Sequence, residues 1–121
     1  MDILIIDDAD SVRHNIIRMI RQKTSELTIH QASSCSEALE KIAEVGHDVV
    51  IVDIKLPDGS GFDILEKLRH LSPTPLIIFL SNFSSTKFKE KALAHGASYF
   101  FDKTEEFDRL LKLVQNDFKE L

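Results

Sequence analysis

Tryptophan is missing from this 121-residue sequence, and there is only one cysteine, one tyrosine and three prolines. A lone Cys35 excludes a disulfide framework and a cysteine-rich zinc site within one chain. Glycine is sparse, four in all, and no G-x-G-x-x-G dinucleotide loop follows the first apolar run. Gly59-Ser60-Gly61 is too short for that fingerprint and reads as a turn into a helix. No apolar run approaches the roughly 20 residues that span a membrane. No basic leader precedes Ile3, which argues against a secretory signal and makes the cytoplasm the expected location. Cationic excess is lacking too, since 15 Lys and Arg against 20 Asp and Glu give a net charge of −5. Nucleic-acid binders concentrate basic residues on one face, whereas here they are spread along the chain, so direct nucleic-acid binding is not expected. His14, His30, His47, His70 and His95 include no i, i+4 pair and read as packed or exposed rather than as metal ligands.

What is present is an ordinary globular composition, 43% hydrophobic and 29% charged. A chain of this length buries roughly two-thirds of its unfolded surface, so residues 1–121 are read as one domain. Short apolar runs occur at Ile3–Ile6, Val49–Val52, Leu76–Leu80 and Tyr99–Phe101, and their β-branched and aromatic content predicts strands covered on both faces. Leu27–His30 alternates instead, as an edge strand does. Between the runs lie helical spacings: Val12, Ile16, Met19 and Ile20; Ala38, Leu39 and Ile42; Leu65, Leu68 and Leu71; and Phe107, Leu110, Leu111, Val114 and Phe118. Ser34 with Glu37 and Ser60 with Asp63 read as capping boxes. Gly46 and Gly96 each follow a helical stretch, where a left-handed cap is wanted. The β-α order repeats five times, which predicts a doubly wound, flavodoxin-like (βα)5 fold with a parallel sheet in the order 2-1-3-4-5.

In such a sheet ligands bind beyond the carboxyl ends of the strands. The first strand ends at Asp7-Asp8, the third at Asp53 and the fourth at Ser81, while the fifth leads to Lys103. Three carboxylates about 5 Å apart would repel by roughly 3 kcal/mol per pair at an effective dielectric near 20. Either a proton is retained or a cation sits among them. Oxygen-only ligands favour a hard cation such as Mg²⁺. The bland alternative, that Asp7, Asp8 and Asp10 merely lead into a helix with Asp10 as its cap, leaves the acid at the neighbouring strand end unexplained. A carboxylate in such a place can act as a nucleophile toward phosphorus, which makes Asp53 the candidate acceptor, Lys103 the neutralising ammonium and Ser81 the hydroxyl donor.

With I-L-I-I-D-D, V-V-I-V-D-I-K-L-P-D-G-S-G, I-I-F-L-S-N and G-A-S-Y-F-F-D-K in place, the sequence resembles the receiver domain of two-component response regulators, including the chemotaxis response regulator. The resemblance covers essentially all of it. It implies that Asp53 accepts a phosphoryl group from a sensor histidine kinase or histidine phosphotransfer protein. It implies Mg²⁺ held by Asp7, Asp8, Asp53 and the backbone carbonyl of Lys55. Phe100 falls at the family's switch-aromatic position, paired with Ser81. Output is then expected through the face of the fourth helix, fifth strand and fifth helix, toward a partner protein or domain, with a phosphorylation-linked dimer as one outcome. The family's chemistry is limited to its own phosphoryl transfer and dephosphorylation.

Two positions depart from the family pattern. Thr104 follows Lys103 where a cis proline is usual, and a non-proline cis bond costs about 2.5–4 kcal/mol, so a trans bond is predicted. Asn82 follows Ser81 where a small residue is usual. A phosphate-independent interaction module of the same shape is the competing reading. A flavin mononucleotide carrier is a third, disfavoured because Asp7-Asp8 would repel the phosphate. Cys35 at a helix start is read as a packed small residue.

Overall fold

The computed structural model describes residues 1–23, 26–83 and 85–116. Along the chain run β1 (Asp2–Ile6), α1 (Asp10–Lys23), β2 (Thr28–Ala32), α2 (Cys35–Glu44), β3 (Val49–Val52), β4 (Lys55–Leu56), β5 (Gly59–Ser60), α3 (Gly61–Leu68), β6 (Leu76–Ser81), α4 (Thr86–Ala94), β7 (Tyr99–Asp102) and α5 (Phe107–Asn116). Five strands form one parallel sheet in the order β2-β1-β3-β6-β7. Counting only these strands, that is the 2-1-3-4-5 order the alternation predicts, with β2 and β7 at the edges.

Period-two alternation sorts the strands between two cores. Leu4, Ile6, Val50, Val52, Ile77, Phe79 and Phe100 pack with Ala38 of α2, Ile64, Leu65 and Leu68 of α3, and Ala92 of α4. Ile3, Ile5, Val49, Ile51, Ile78, Leu80 and Phe101 pack with Ile16 and Ile20 of α1 and Leu110, Leu113 and Val114 of α5. Helices thus cover both faces, which is why the strands read as continuous apolar runs. Leu113, not Leu111, completes the α5 stripe; Phe118 lies outside the described residues. Leu39 and Leu71 sit at the surface. No helix among the described residues is long and apolar enough to cross a membrane.

Caps differ in how fully they form. Ser60 and Asp63 make a complete capping box on α3, through Phe62 N–H to Ser60 Oγ at 3.1 Å and Ser60 N–H to Asp63 Oδ2 at 3.1 Å. On α2 only half exists: Ser34 Oγ accepts from Glu37 N–H at 3.1 Å, while the Glu37 carboxylate accepts from the Ser33 hydroxyl at 3.2 Å. The second partner comes from afar, because Asp58 accepts from Cys35 N–H at 2.7 Å and Ser36 N–H at 2.9 Å. Those bonds hold the Asp58 carboxyl below its ordinary pKa. Gly96 has φ +112° and closes α4 in a Schellman arrangement, with Ala97 N–H to Ala92 O at 3.0 Å and Gly96 N–H to Leu93 O at 3.4 Å. Gly46 is not a left-handed cap; α2 ends at Val45 in extended backbone, with φ −138°.

At the amino ends of the strands, His47 packs edge-on against His30 with ring centroids 5.0 Å apart. Its Nε2 is buried without a hydrogen-bond partner among the described residues. Burial above all, then the neighbouring His30, lowers the His47 pKa from 6.5, while Asp2 and Asp48 pull the other way. The unfolded chain therefore binds a proton more readily. Its stability contribution is complete above about pH 6.5 and shrinks as the pH falls through that value toward the depressed folded one. Urea midpoints should fall between pH 7 and pH 5.5, and His47→Phe should make that slope shallower; an unchanged slope would assign the acid loss to other groups.

Candidate functional site

Asp7, Asp53, Ser81 and Lys103 each stand one step beyond, or at the end of, a sheet strand, and ladder bonds continue far enough to hold them there. Asp7 N–H donates to Ala32 O at 3.0 Å, Asp53 N–H to Ile6 O at 3.1 Å and Lys103 N–H to Ser81 O at 3.0 Å. The side chains of Asp7 and Asp53 consequently meet. Lys103 Nζ lies 2.6 Å from Asp7 Oδ2 and 2.7 Å from Asp53 Oδ2, bridging the two. Their remaining oxygens are also engaged: Asp7 Oδ1 accepts from Ala9 N–H at 2.9 Å and Asp53 Oδ1 from Ile54 N–H at 2.7 Å. Asp7, Asp53 and Ser81 are buried, whereas Asp8 is exposed. Asp7, Asp8 and Asp53 each offer a carboxylate oxygen within 4.8 Å of the other two.

Burial is the largest influence on Asp7 and raises its pKa, outweighing the hydrogen bonds from Lys103 and Ala9. For Lys103 burial works to lower the pKa, but the hydrogen bonds to Asp53 and Asp7 prevail and the net shift is upward. The ammonium is therefore held charged between two acids. Three carboxylates against one ammonium leave a net negative edge, and an all-oxygen donor set suits a hard divalent cation.

Lys55 borders the site from the short β4-β5 hairpin, in which Lys55 pairs with Ser60 and Leu56 with Gly59. The sequence predicts only a turn at Gly59-Ser60-Gly61; its first two residues form β5 of this hairpin. A cavity of about 340 Å³ opens over the edge, lined by Asp8, Asp53, Lys55, Asn82, Phe83 and Lys103 among others. Ser81 is at the same edge, but its Oγ accepts from Phe83 N–H at 3.1 Å. Phe100 is 3% exposed and stacked on Phe79, with centroids 5.8 Å apart and planes at 22°.

Arg13 was missed by sequence reading. Though charged, it is buried on α1, where its guanidinium donates to the Asp7 carbonyl, to Asp10, and to Gln31 Oε1 at 3.0 Å. Asp10 is thus the first residue of α1 and an ion-pair partner. Its i, i+3 spacing to Arg13 was the available signal. Cys35 packs as expected, with its Sγ 3.6 Å from Ser60 O. Burial, then Asp58 and Asp63, push the thiol up to about 11.

The two departures from the motif pattern meet each other. Lys103–Thr104 is trans, the cis bond among the described residues being Ser72–Pro73. Thr104 N–H donates to Asp102 Oδ1 at 2.8 Å, and a proline would lack that donor. The Thr104 hydroxyl donates to Asn82 Oδ1 at 3.3 Å, tying the loop after β7 to the loop after β6.

A family model described as the response regulator receiver domain matches residues 3–115. The chain belongs to the response regulator receiver domain family. The receiver is 29% identical over 121 residues to the sensory transduction protein LytT of Enterococcus faecalis, covering 100% of this chain and 49% of that protein. It is 31% identical over 101 residues to the response regulator GacA of Pseudomonas viridiflava, covering 84% and 47% respectively. This receiver thus spans about half the length of these relatives. A receiver domain protein from Clostridium thermocellum superposes with a TM-score of 0.79 at 27% identity, covering 98% of this chain and 97% of that one. The signal receiver domain of a DNA binding response regulator from Colwellia psychrerythraea gives 0.89 at 21% identity, covering 98% of both. In this receiver the acid pair, the third-strand acid, the hydroxyl and the lysine stand together at one sheet edge.

Proposed function

We propose that this receiver is a phosphorylation switch whose acceptor is Asp53. The observation that carries the reading is the Lys103 ammonium bridging Asp7 and Asp53 inside an acidic edge. An Asp53 oxygen attacks the phosphorus of a phosphohistidine on a sensor histidine kinase or a histidine phosphotransfer protein. The P–N bond breaks, its electron pair stays on the imidazole, and an acyl phosphate remains on Asp53. Asp7, Asp8, Asp53 and the Lys55 carbonyl suit Mg²⁺, which supplies charge neutralisation when bound. Lys103 neutralises the opposite side and, already charged and held, needs little reorganisation. Ser81 turns its hydroxyl from Phe83 N–H toward the phosphoryl oxygens.

Residues 1–121 act here as one cytoplasmic domain with no direct nucleic-acid contact. Output runs through the face of α4, β7 and α5 to a partner protein or domain, or into a phosphorylation-linked dimer. Phe100 couples that face to Ser81. It has no hydroxyl to hold it at the surface, and its stacking on Phe79 fits an inward state populated before phosphorylation. Burial of a Phe side chain is worth on the order of 1–3 kcal/mol, enough to bias a two-state equilibrium about 5- to 150-fold.

Intact mass spectrometry after incubation with acetyl phosphate should show one added phosphoryl group with Mg²⁺ and none with excess EDTA. No addition in either condition overturns the reading. NMR spectra with and without beryllofluoride should shift α4 and β7 resonances together with those around Asp53. Shifts confined to the neighbourhood of Asp53 would disconnect the site from the output face.

A further inference from the structure

Only Ala92 is buried among the residues of α4, the shallowest-seated of the helices connecting the sheet. Phe88 on this helix is 38% exposed and Phe83, in the connection before it, is 45% exposed. Large aromatic rings left at the surface mark contact sites when they cluster with complementary features. Here those features are cations. Lys91 Nζ lies 4.3 Å from the centroid of Phe62, whose ring is in turn 6.1 Å from Phe88. Lys55 Nζ lies 5.7 Å from the Phe83 centroid. Segment 81–95 carries three lysines and one glutamate in a chain whose net charge is −5. Lys55, Lys87, Lys89 and Lys91 make no ion pair among the described residues. The surface looks toward α3 and β4, and so differs from the α4-β7-α5 face assigned to output above.

We propose that Phe83 and Phe88, with Lys55 and Lys91, form a docking surface for an acidic segment of a partner protein that carries an apolar anchor side chain. Aromatic rings supply anchors of low conformational cost, and the flanking ammonium groups steer and orient carboxylates. A second copy fits poorly, since an isologous pairing would set Lys91 and Lys55 against their own equivalents. Nucleic acid fits poorly as well, given the overall acidic charge.

The test uses a synthetic 12-residue peptide of Asp and Glu with Phe and Leu four positions apart, titrated into the ¹⁵N-labelled chain. Amide shifts should centre on Lys55, Phe83, Phe88 and Lys91, and affinity should fall as salt is raised. Phe88→Ala and Lys91→Glu, both surface changes, should each weaken binding about tenfold or more, the scale of a lost interface anchor. Uptake of phosphoryl by Asp53 should be unaffected in both. No binding at about 1 mM peptide, shifts confined to α1 or to β7 and α5, or equal binding by a peptide with Ala at the anchor positions would each overturn the proposal. So would equal binding by oligothymidine. No peptide binding by the wild-type chain while it is still phosphorylated refutes this surface alone; no phosphorylation of the wild-type chain while it still binds peptide refutes the acceptor assignment alone.

Discussion

Asp53→Asn is expected to take up no phosphoryl group from acetyl phosphate under conditions that modify the wild-type chain fully. The amide keeps the size and one acceptor oxygen of the carboxylate, so the bond from Ile54 N–H, 2.7 Å in the wild type, can persist. Asp7 still holds Lys103, at 2.6 Å. The fold should therefore survive, and the loss is one of chemistry: a neutral amide lacks the anionic oxygen that attacks phosphorus. Far-UV circular dichroism checks the first half and intact mass the second. A full mass gain in the variant would move the acceptor elsewhere. Asp8→Ala should also block uptake, by removing the exposed member of the acidic trio. Lys103→Ala leaves Asp7 and Asp53 unbridged with carboxylate oxygens within 4.8 Å, where two charges repel by about 3 kcal/mol at an effective dielectric near 20. That variant should lose stability as well as uncouple the phosphoryl charge from the loop after β7.

The acid pair, Asp53 and Ser81 could be placed at the sheet edge from sequence because a strand buried on both faces announces its own end, whereas Lys103 lies one residue past Asp102, the first polar residue after Tyr99–Phe101. Val49–Val52 is apolar throughout, so the first polar residue after it marks the carboxyl edge, and the same holds for Ile3–Ile6 and Leu76–Leu80. Helix spacing was less decisive. Leu39 shares the period of its buried neighbours yet faces outward, because periodicity fixes a face only to within about a residue. Leu71 continues the spacing of Leu65 and Leu68 but lies past the end of α3 at Leu68. Gly46 and Gly96 look alike in sequence, but whether a helix closes through a left-handed residue depends on what its last carbonyls meet. Arg13 and Asp58 escaped notice for another reason: each acts across the fold, on Asp7 and Gln31 in one case and on the start of α2 in the other. Apart from the i, i+3 spacing of Asp10 and Arg13, nothing local distinguishes them from solvated charges. The β4-β5 hairpin is likewise too short, at two residues per strand, to leave a period.

Gly61→Ala should be the most damaging of the alanine substitutions at Gly46, Gly59 and Gly61. A Cβ at Gly61 would lie 2.3 Å from the Asp53 carbonyl oxygen, 3.1 Å from its carbon and 3.3 Å from the Ile54 Cα. These are backbone atoms of the segment that carries Asp53, so no side-chain rotation relieves the overlap. Gly61 N–H also donates to Ile54 O at 2.6 Å, which pins the start of α3 against that segment. Either α3 retreats or Asp53 moves. Overpacking of this kind costs about 1–3 kcal/mol, and a displacement near 1 Å at a reacting group can slow reaction roughly 100-fold. Two other glycines serve as controls. At Gly59 the added Cβ would meet Cys35 Sγ at 3.0 Å and Asp63 Oδ2 at 3.1 Å, both ends of side chains that can shift. At Gly46 it would meet nothing within 4 Å, and φ there is not positive. Gly46→Ala should therefore be neutral, or stabilising by about 0.4–1 kcal/mol through the unfolded chain. Urea midpoints should rank Gly46→Ala above Gly59→Ala above Gly61→Ala, and phosphorylation by acetyl phosphate should slow markedly only in the last. If Gly61→Ala matches Gly46→Ala in both measurements, the close approach of α3 to the Asp53 carbonyl does not set the acceptor's position.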